Sequence, residues 1–408
     1  MGKMRMGRSR SFGPGLVFPA LWIVGMVVAL GLMASIAVEL MRGTPVSTGL
    51  LSGAPSVSAQ SAVVMDLTSG RILYEKNKDL RVYPASTTKI MTALLGIEYG
   101  DLDRRITVGG EAIGVEGSSI YLKDGETMSL RDLLYGAMLR SGNDAATAIA
   151  MAIGGELKET GAEATVDGSA APEALSAVER FVALMNRRAR EIGADHTHFV
   201  NPTGLHDENH YTTAYDMALM GRAAMLNPAF AAIAGADHWT AQRQEDRDPY
   251  FYNKNKVVHQ YQGGNGVKIG YTKATGRTLV ASSERDGRKL ICVVMNAPDW
   301  FNDAYRLMDY AYETCETATI AGEGQRLEKV AVEGGVRDSV WVGVRDKVTC
   351  LIRPEERNDL EVTCAVTEPV KAPVVRGEQA GLLHVYVSGQ YVYSVPLYFY
   401  EDVDGGKP

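Results

Sequence analysis

A serine and a lysine three residues apart are the first residues of this chain whose spacing could do chemistry. Ser86 and Lys89 follow Pro84-Ala85 where a helical pattern begins, and no other serine has a lysine at that spacing. Residues i and i+3 share one face of a helix, so the Lys89 amine could take the proton of the Ser86 hydroxyl. The pair predicts a serine nucleophile with a lysine base. A helix cap at Ser86 beside a solvated Lys89 is the alternative.

Two further motifs follow along the chain. Ser141-Gly142-Asn143 lies in a predicted loop between two apolar helices. Lys268-Ile269-Gly270 lies in a predicted strand after a glycine-rich turn, and its glycine would let a substrate backbone approach the strand edge. Lys268 is the expected second cation, which together with burial would keep the Lys89 amine neutral. Each motif alone fits an ordinary turn or strand, but the three in this order favour one active site.

Apolar periodicity predicts the elements that position these motifs. The predicted elements are a hairpin in 62–74, helices from Pro84 onward, on both sides of 141–143 and over 178–192, strands within 263–296, and a helix over 304–315. Short strands in residues 320–400 indicate a second, all-β domain. Residues 353–359 are expected to form a hairpin loop between strands that carry Cys350 and Cys364, which could pair or remain free.

The N-terminus resembles a membrane signal. Basic residues without an acid precede 24 uncharged residues from Gly15 to Val38, a length that favours a transmembrane signal-anchor over a cleaved signal peptide. The positive-inside rule then places the rest of the chain outside the cytoplasmic membrane. Cleavage after Ala59 and secretion is the alternative. Without residues 1–59 the chain has 37 basic and 48 acidic residues, which argues against nucleic-acid partners.

Together the motifs resemble those of the low-molecular-weight serine D-alanyl-D-alanine carboxypeptidases, which are penicillin-binding proteins with Ser-x-x-Lys, Ser-Gly-Asn and Lys-Thr-Gly motifs. The likeness also includes the segments 117–119, 141–146, 199–205 and 210–214. It implies an α+β fold, in which an antiparallel sheet with helices on both faces and a helical subdomain precede a small all-β domain. It implies removal of the terminal D-alanine from peptidoglycan stem pentapeptides through an acyl-enzyme, which β-lactam antibiotics also form.

The resemblance assigns catalytic roles to four residues. Ser86 is expected to be acylated, with Lys89 as its base. Ser141 is expected to relay a proton to the leaving amine, and Asn143 to hydrogen-bond both the substrate and Lys89. The backbone N–H groups of Ser86 and Tyr271 are expected to form the oxyanion hole. None of the motifs implies a metal or a cofactor.

Substrate binding is expected to involve Lys268, Gly270 and Thr272. One position departs from the family pattern, which has a hydroxyl residue where this chain has Ile269. An alkyl group cannot bond the substrate carboxylate. By strand alternation Thr272 points away from the face of Ile269, so it could replace the missing hydroxyl only through a bulge.

The chain is thus divided into five predicted segments. They are a cytoplasmic basic segment (1–13), a transmembrane signal-anchor or signal peptide (14–38), a flexible linker (39–61), the D-Ala-D-Ala carboxypeptidase domain (62–316) and a β-sandwich-like domain (317–401). The expected partners are the stem peptide, β-lactams and, through the N-terminal segment, the cytoplasmic membrane.

Three other interpretations are weaker. His206 and His210 suggest a zinc hydrolase, but Asp207 stands where the zinc motif needs glutamate. A β-lactamase would share the serine and lysine, but the chain has no Glu-x-x-Leu-Asn segment for deacylation. A non-catalytic wall-binding protein would explain Ile269, and covalent labelling by a penicillin would exclude it.

Overall fold

The computed structural model describes residues 53–159, 175–244 and 246–406. The predicted cytoplasmic segment and signal-anchor, residues 1–38, lie outside this part of the chain, as does most of the predicted linker. Within the described ranges no single helix is long and apolar enough to cross a membrane. Two successive helices, Ala214–Met225 and Pro228–Ala234, reach that length and apolarity only as a pair bent by 107°.

An antiparallel sheet lies at the centre of the larger domain. The strands of this domain are β1 (Ser61–Asp66), β2 (Ile72–Lys76), β3 (Arg105–Thr107), β4 (Thr127–Ser129), β5 (His238–Thr240), β6 (Tyr250–Tyr252), β7 (Gly264–Thr272), β8 (Gly276–Arg285) and β9 (Arg288–Met295). Five of them form the central sheet in the order β2-β1-β9-β8-β7. The predicted N-terminal hairpin and the strands predicted within 263–296 are both confirmed. Strand β7 lies at one edge of the sheet, so one of its sides is not paired to another strand of that sheet.

Helices cover both faces of this sheet. They are α1 (Lys89–Tyr99), α2 (Leu130–Leu139), α3 (Asn143–Glu159), α4 (Ala177–Ile192), α5 (Ala214–Met225), α6 (Pro228–Ala234), α7 (Lys256–Gln260) and α8 (Trp300–Thr314). Because strand side chains alternate, Val280 packs into the core formed with α1 to α6, whereas Leu279 packs into a second core formed with α8. The predicted arrangement of an antiparallel sheet between helices is confirmed.

The C-terminal domain is all-β, as predicted. Its strands are β10 (Glu316–Ala321), β11 (Arg326–Glu333), β12 (Ser339–Gly343), β13 (Val348–Ile352), β14 (Leu360–Val366), β15 (Val370–Lys371), β16 (Gln379–Val387) and β17 (Gln390–Phe399). The predicted hairpin around residues 353–359 is wrong, because β13 pairs with β10 whereas β14 pairs with β16. Cys350 and Cys364 therefore lie in different sheets, and both are free thiols.

The predicted flexible linker ends earlier than residue 61. Val57 and Ala59 are buried. The backbone N–H groups of Ser58 and Ala59 donate to the carboxylate of Asp303 on α8, at 3.1 and 2.9 Å. This buried carboxylate fixes the chain to the domain before β1 begins.

Candidate active site

Ser86 lies in a short 3-10 turn, Ala85–Thr88, that leads directly into α1. Ala85 has a φ of 48°, in the left-handed region that alanine rarely adopts. Lys89 is the first residue of α1, and its Nζ lies 3.1 Å from Ser86 Oγ. Ser86 is half-buried, whereas Lys89 is fully buried. The predicted i, i+3 contact is present, with the hydroxyl toward solvent and the amine behind it.

The Lys89 amine has three oxygen neighbours. Besides Ser86 Oγ, Asn143 Oδ1 and the carbonyl oxygen of Thr203 both lie 2.6 Å from Nζ. A neutral amine has two N–H donors and one lone pair, and the two oxygens without hydrogens can only accept. The two N–H groups therefore go to Asn143 and Thr203. The lone pair is left for the hydroxyl proton of Ser86, which is the geometry of a base.

Burial and neighbouring cations favour this neutral form. Desolvation lowers the pKa of Lys89 well below its usual value, and the positive charge of Lys268 lowers it further. Asp144 acts in the opposite direction. Lys268 is itself fully buried, and desolvation with the charge of Lys254 lowers its pKa to about 7. Burial and these two cations thus favour the neutral amine, which has a free lone pair.

Ser141 lies between α2 and α3, and Asn143 is the first residue of α3. Ser141 is buried and has a φ of 64°. The side-chain amide of Asn143 connects two parts of the site, because its Oδ1 accepts from Lys89 and its Nδ2 donates to the Glu116 carbonyl. The backbone N–H of Asn143 donates to the carbonyl oxygen of Ser118 at 2.7 Å. The second motif therefore lies beside the first and also holds the preceding loop.

Edge strand β7 brings the third motif against the Ser86 turn. A Cβ atom at Gly270 would lie 2.6 Å from Thr278 Oγ1 and 3.1 Å from Ser86 N. Only glycine lets the strand approach the nucleophile this closely. Lys268 pairs with Val280 and Gly270 with Thr278, so both lie on the face of the sheet that carries the helical core. The three predicted motifs thus meet in one place.

Ile269 and Thr272 lie differently from the other motif residues. Ile269 pairs with Leu279 and packs against the second core on the α8 side. Strand β7 is regular from Val267 to Thr272, so it has no bulge that would bring Thr272 to the position of Ile269. The Thr272 hydroxyl bonds Thr275 Oγ1 at 2.8 Å and accepts from the Thr275 N–H in the turn to β8. Thr272 therefore stabilises the turn, and this part of the predicted substrate site does not assemble as expected.

Comparisons with known proteins identify the family. The peptidase family S11 model, described as D-alanyl-D-alanine carboxypeptidase, matches residues 50–160 and 161–299. The chain belongs to this family. A second model, the C-terminal domain of penicillin-binding protein 5, matches residues 316–405, so both domains of a carboxypeptidase of this type are accounted for.

Individual carboxypeptidases resemble the chain over most of its length. The D-alanyl-D-alanine carboxypeptidase DacF of Bacillus subtilis is 30% identical over 354 residues, which cover 85% of this chain and 86% of DacF. DacC of Escherichia coli is 30% identical over 371 residues, with 86% of each chain covered. The crystal structure of penicillin-binding protein 5 from Haemophilus influenzae is 27% identical, with a TM-score of 0.66, and covers 87% of this chain and all of that one.

The structure adds site residues that the motifs did not predict. Thr203 contributes its carbonyl oxygen, which any residue could do. Asp144 follows Asn143 directly and is buried. Lys254 follows β6, and its backbone N–H donates to the Leu139 carbonyl at the end of α2. Only the family likeness around residues 199–205 could have indicated Thr203, and no sequence spacing indicates Lys254.

His210 is a buried histidine that holds the Ser86 turn in this carboxypeptidase. Its Nδ1 accepts the Val200 N–H at 3.3 Å, so the proton is on Nε2, which lies 2.9 Å from Thr88 Oγ1. Burial is the main reason why the pKa of His210 is lowered to about 4. The histidine thus serves as a neutral structural donor.

The neutral state of His210 predicts a loss of stability in acid. Between its unfolded pKa near 6.5 and its folded pKa of about 4, only the unfolded chain binds the proton, so stability falls as the pH falls through this window. The loss is about 3 kcal/mol. In His210→Gln this contribution should be absent, as measured by urea unfolding between pH 7 and 4. The exposed His238→Gln is the control, and equal pH slopes for His210→Gln and wild type would contradict the prediction.

Proposed function

We propose that this chain removes the terminal D-alanine from peptidoglycan stem peptides, with Ser86 as the nucleophile and Lys89 as its base. Membership of the D-alanyl-D-alanine carboxypeptidase family supports the reaction. One observation carries the residue roles: the buried Lys89 amine has two oxygens that can only accept, and its third neighbour is the half-buried Ser86 hydroxyl.

Acylation begins when Ser86 Oγ attacks the carbonyl carbon of the penultimate D-alanine and its proton moves to Lys89. The peptide C–N bond then breaks, and the proton passes through Ser141 to the leaving nitrogen, so free D-alanine departs. In deacylation a water molecule attacks the ester and gives its proton to Lys89. The ester C–O bond breaks and the proton returns to Ser86.

The surrounding groups stabilise charge. In the proposed site the N–H groups of Ser86 and Tyr271 face the oxyanion, and Asn143 orients the substrate amide. Lys268, with a pKa of about 7, binds a proton more readily when the substrate carboxylate is near, so it can provide a positive charge for the terminal residue. β-Lactam antibiotics enter the same site through their own carbonyl and acylate Ser86.

The decisive experiment is a D-alanine release assay on a stem pentapeptide with the purified protein. We expect release that stops when one equivalent of benzylpenicillin has bound covalently. A slow loss of the penicillin adduct would separate this enzyme from a β-lactamase, which would turn the penicillin over. Penicillin labelling without D-alanine release would contradict the proposed carboxypeptidase reaction of this chain.

The Ile269→Thr variant tests the departure from the family motif. Because Ile269 packs against the second core on the α8 side, a hydroxyl at this position can bond the substrate carboxylate only across the unpaired edge of β7. Such a bond, an interaction of about 1.5–3 kcal/mol, is expected to raise kcat/KM at least about tenfold. Ile269→Val is the matched control, because valine has the size of threonine without the hydroxyl. Equal kcat/KM values for the Thr and Val variants would show that the site does not use a hydroxyl here.

Tethering to the outer face of the cytoplasmic membrane by the N-terminal segment also belongs to the proposal. It is supported by the 24 uncharged residues that follow the basic cluster. The native protein should then sediment with membranes and keep its N-terminus. A mature protein that begins near Gln60 would instead be secreted after signal cleavage.

A further inference from the structure

Tyr121 combines high exposure with an unfavourable backbone conformation. The residue is 77% exposed, although its side chain is large and aromatic, and its φ is 60°. Left-handed backbone brings Cβ close to the carbonyl oxygen and costs free energy for residues other than glycine, asparagine and aspartate. A residue keeps such a conformation only when its surroundings fix it.

Hydrogen bonds to Asp144, at the start of α3, fix the backbone around Tyr121. Asp144, next to Asn143, accepts the backbone N–H groups of Ile120 and Leu122 and the hydroxyl of Ser119, at 2.6–3.1 Å. The Tyr121 N–H donates to Ser119 Oγ at 2.7 Å. One buried carboxylate at the start of α3 therefore determines the backbone on both sides of Tyr121.

The side chains beside Tyr121 hold the loop in the same orientation. Ile120 and Leu122 are both buried. Ile120 fills the space left by two glycines, since a Cβ atom at Gly136 would lie 2.8 Å from its Cδ1 and one at Gly142 would lie 3.2 Å from its Cγ2. With both neighbours anchored, the tyrosine between them must project into solvent.

Six other non-glycine residues in the described ranges have a positive φ. Four of them are small and polar, which makes this conformation less unfavourable: Asn77, Asp286, Asn296 and Ser388. The other two are Ala85 and Ser141, which adjoin or belong to the site. Tyr121 resembles this second pair, because its loop is bonded to Asn143 through the carbonyl groups of Glu116 and Ser118.

We propose that Tyr121 is a specificity-determining residue that contacts the peptide residues preceding the terminal D-Ala-D-Ala of the substrate. The inference rests on the proposed function, in which Asn143 orients the substrate amide. The loop of Tyr121 is built on Asn143 and Asp144, so a peptide that extends beyond Asn143 passes the exposed ring. The ring offers an apolar face to the peptide, and the phenol adds a hydrogen bond.

Two substrates test this contact. Tyr121→Ala should lower kcat/KM about five- to tenfold on a stem pentapeptide, whereas kcat/KM on an N-acetylated D-Ala-D-Ala dipeptide and the rate of penicillin acylation should stay unchanged. Tyr121→Phe should retain most of the activity if the ring makes the contact. An equal loss on both substrates, or no loss on the pentapeptide, would overturn the inference. If the wild type releases D-alanine from neither substrate, the proposed function itself fails.

Strain relief gives an independent readout. Tyr121→Gly should lose the same pentapeptide activity as Tyr121→Ala but melt about 2 °C higher than it, because glycine adopts positive φ without strain. Ser388→Gly, in the β16–β17 turn of the C-terminal domain, is the matched control and should gain stability without any change in activity. A Tyr121→Gly variant that retains the wild-type preference for the pentapeptide would refute a role of the side chain.

Discussion

Ser86→Ala is expected to abolish D-alanine release and penicillin binding together, with a loss of at least about 10⁴-fold in the rate of acylation. Its nearest hydroxyl neighbours cannot replace it. Thr87 Oγ1 donates to the Pro84 carbonyl at 2.6 Å, and Thr88 Oγ1 is bonded to His210. Both threonines are fully buried. The half-buried Ser86 hydroxyl alone has the Lys89 amine behind it.

Intact-mass measurement after incubation with benzylpenicillin checks this prediction. The wild type should gain one adduct, and Ser86→Ala should gain none while keeping the melting temperature of the wild type. Ser388→Ala, a serine replacement far along the chain, should label like the wild type. An adduct that persists in Ser86→Ala would show that another residue is acylated.

Much of the catalytic domain could be predicted because its elements are periodic and local. Short apolar runs on both sides of the Ser69-Gly70 turn indicate two strands. The glycine-rich turn before Lys268 indicates the start of a further strand, which pairs with the next strand along the chain. The break between two helices at Ser141-Gly142-Asn143 could also be predicted, because a polar interruption in an apolar helical series indicates a loop. Sequence order alone then suggested that these residues meet.

The failures of prediction concern partners that are distant in sequence. Strands β13 and β14 follow one another, but each pairs with a strand elsewhere in the domain, which no local pattern shows. The linker was expected to be flexible to residue 61 because its residues are small, yet Ser58 and Ala59 bond Asp303, about 245 residues away. A single buried carboxylate can fix a segment whose composition suggests a tether.

Contacts between distant parts of the sequence also limited the prediction of the active site. The pair Ser86 and Lys89 is visible in the sequence, and burial with the charge of Lys268 was predicted to keep the lysine neutral. Two further groups that hold the amine in place and neutral were not predicted, namely the backbone carbonyl of Thr203 and the charge of Lys254. Both come from elements that are distant in the sequence. Thr272, which could replace the missing hydroxyl only through a bulge, bonds its own turn instead.

Lys89→Met is expected to slow acylation about 10²- to 10⁴-fold, the usual contribution of a positioned base. Methionine has nearly the length of lysine but no proton acceptor of comparable strength, so Ser86 would have to react as a neutral hydroxyl. The rate of benzylpenicillin acylation at pH 7–9 measures the loss, with the exposed Lys329→Met as the control. An acylation rate within tenfold of the wild type would assign the base to another residue.

The same variant shows what the neutral lysine costs the fold. Between the lowered folded pKa of Lys89 and its unfolded value near 10.5, only the unfolded chain holds the proton, so stability rises with pH. Each lysine held neutral contributes up to about 1.4 kcal/mol per pH unit, and Lys268 contributes with the same sign above pH 7. In urea unfolding at pH 8–10, Lys89→Met should lose about half of this combined slope. If its slope equals that of the wild type, Lys89 is charged in the folded enzyme and cannot be the base.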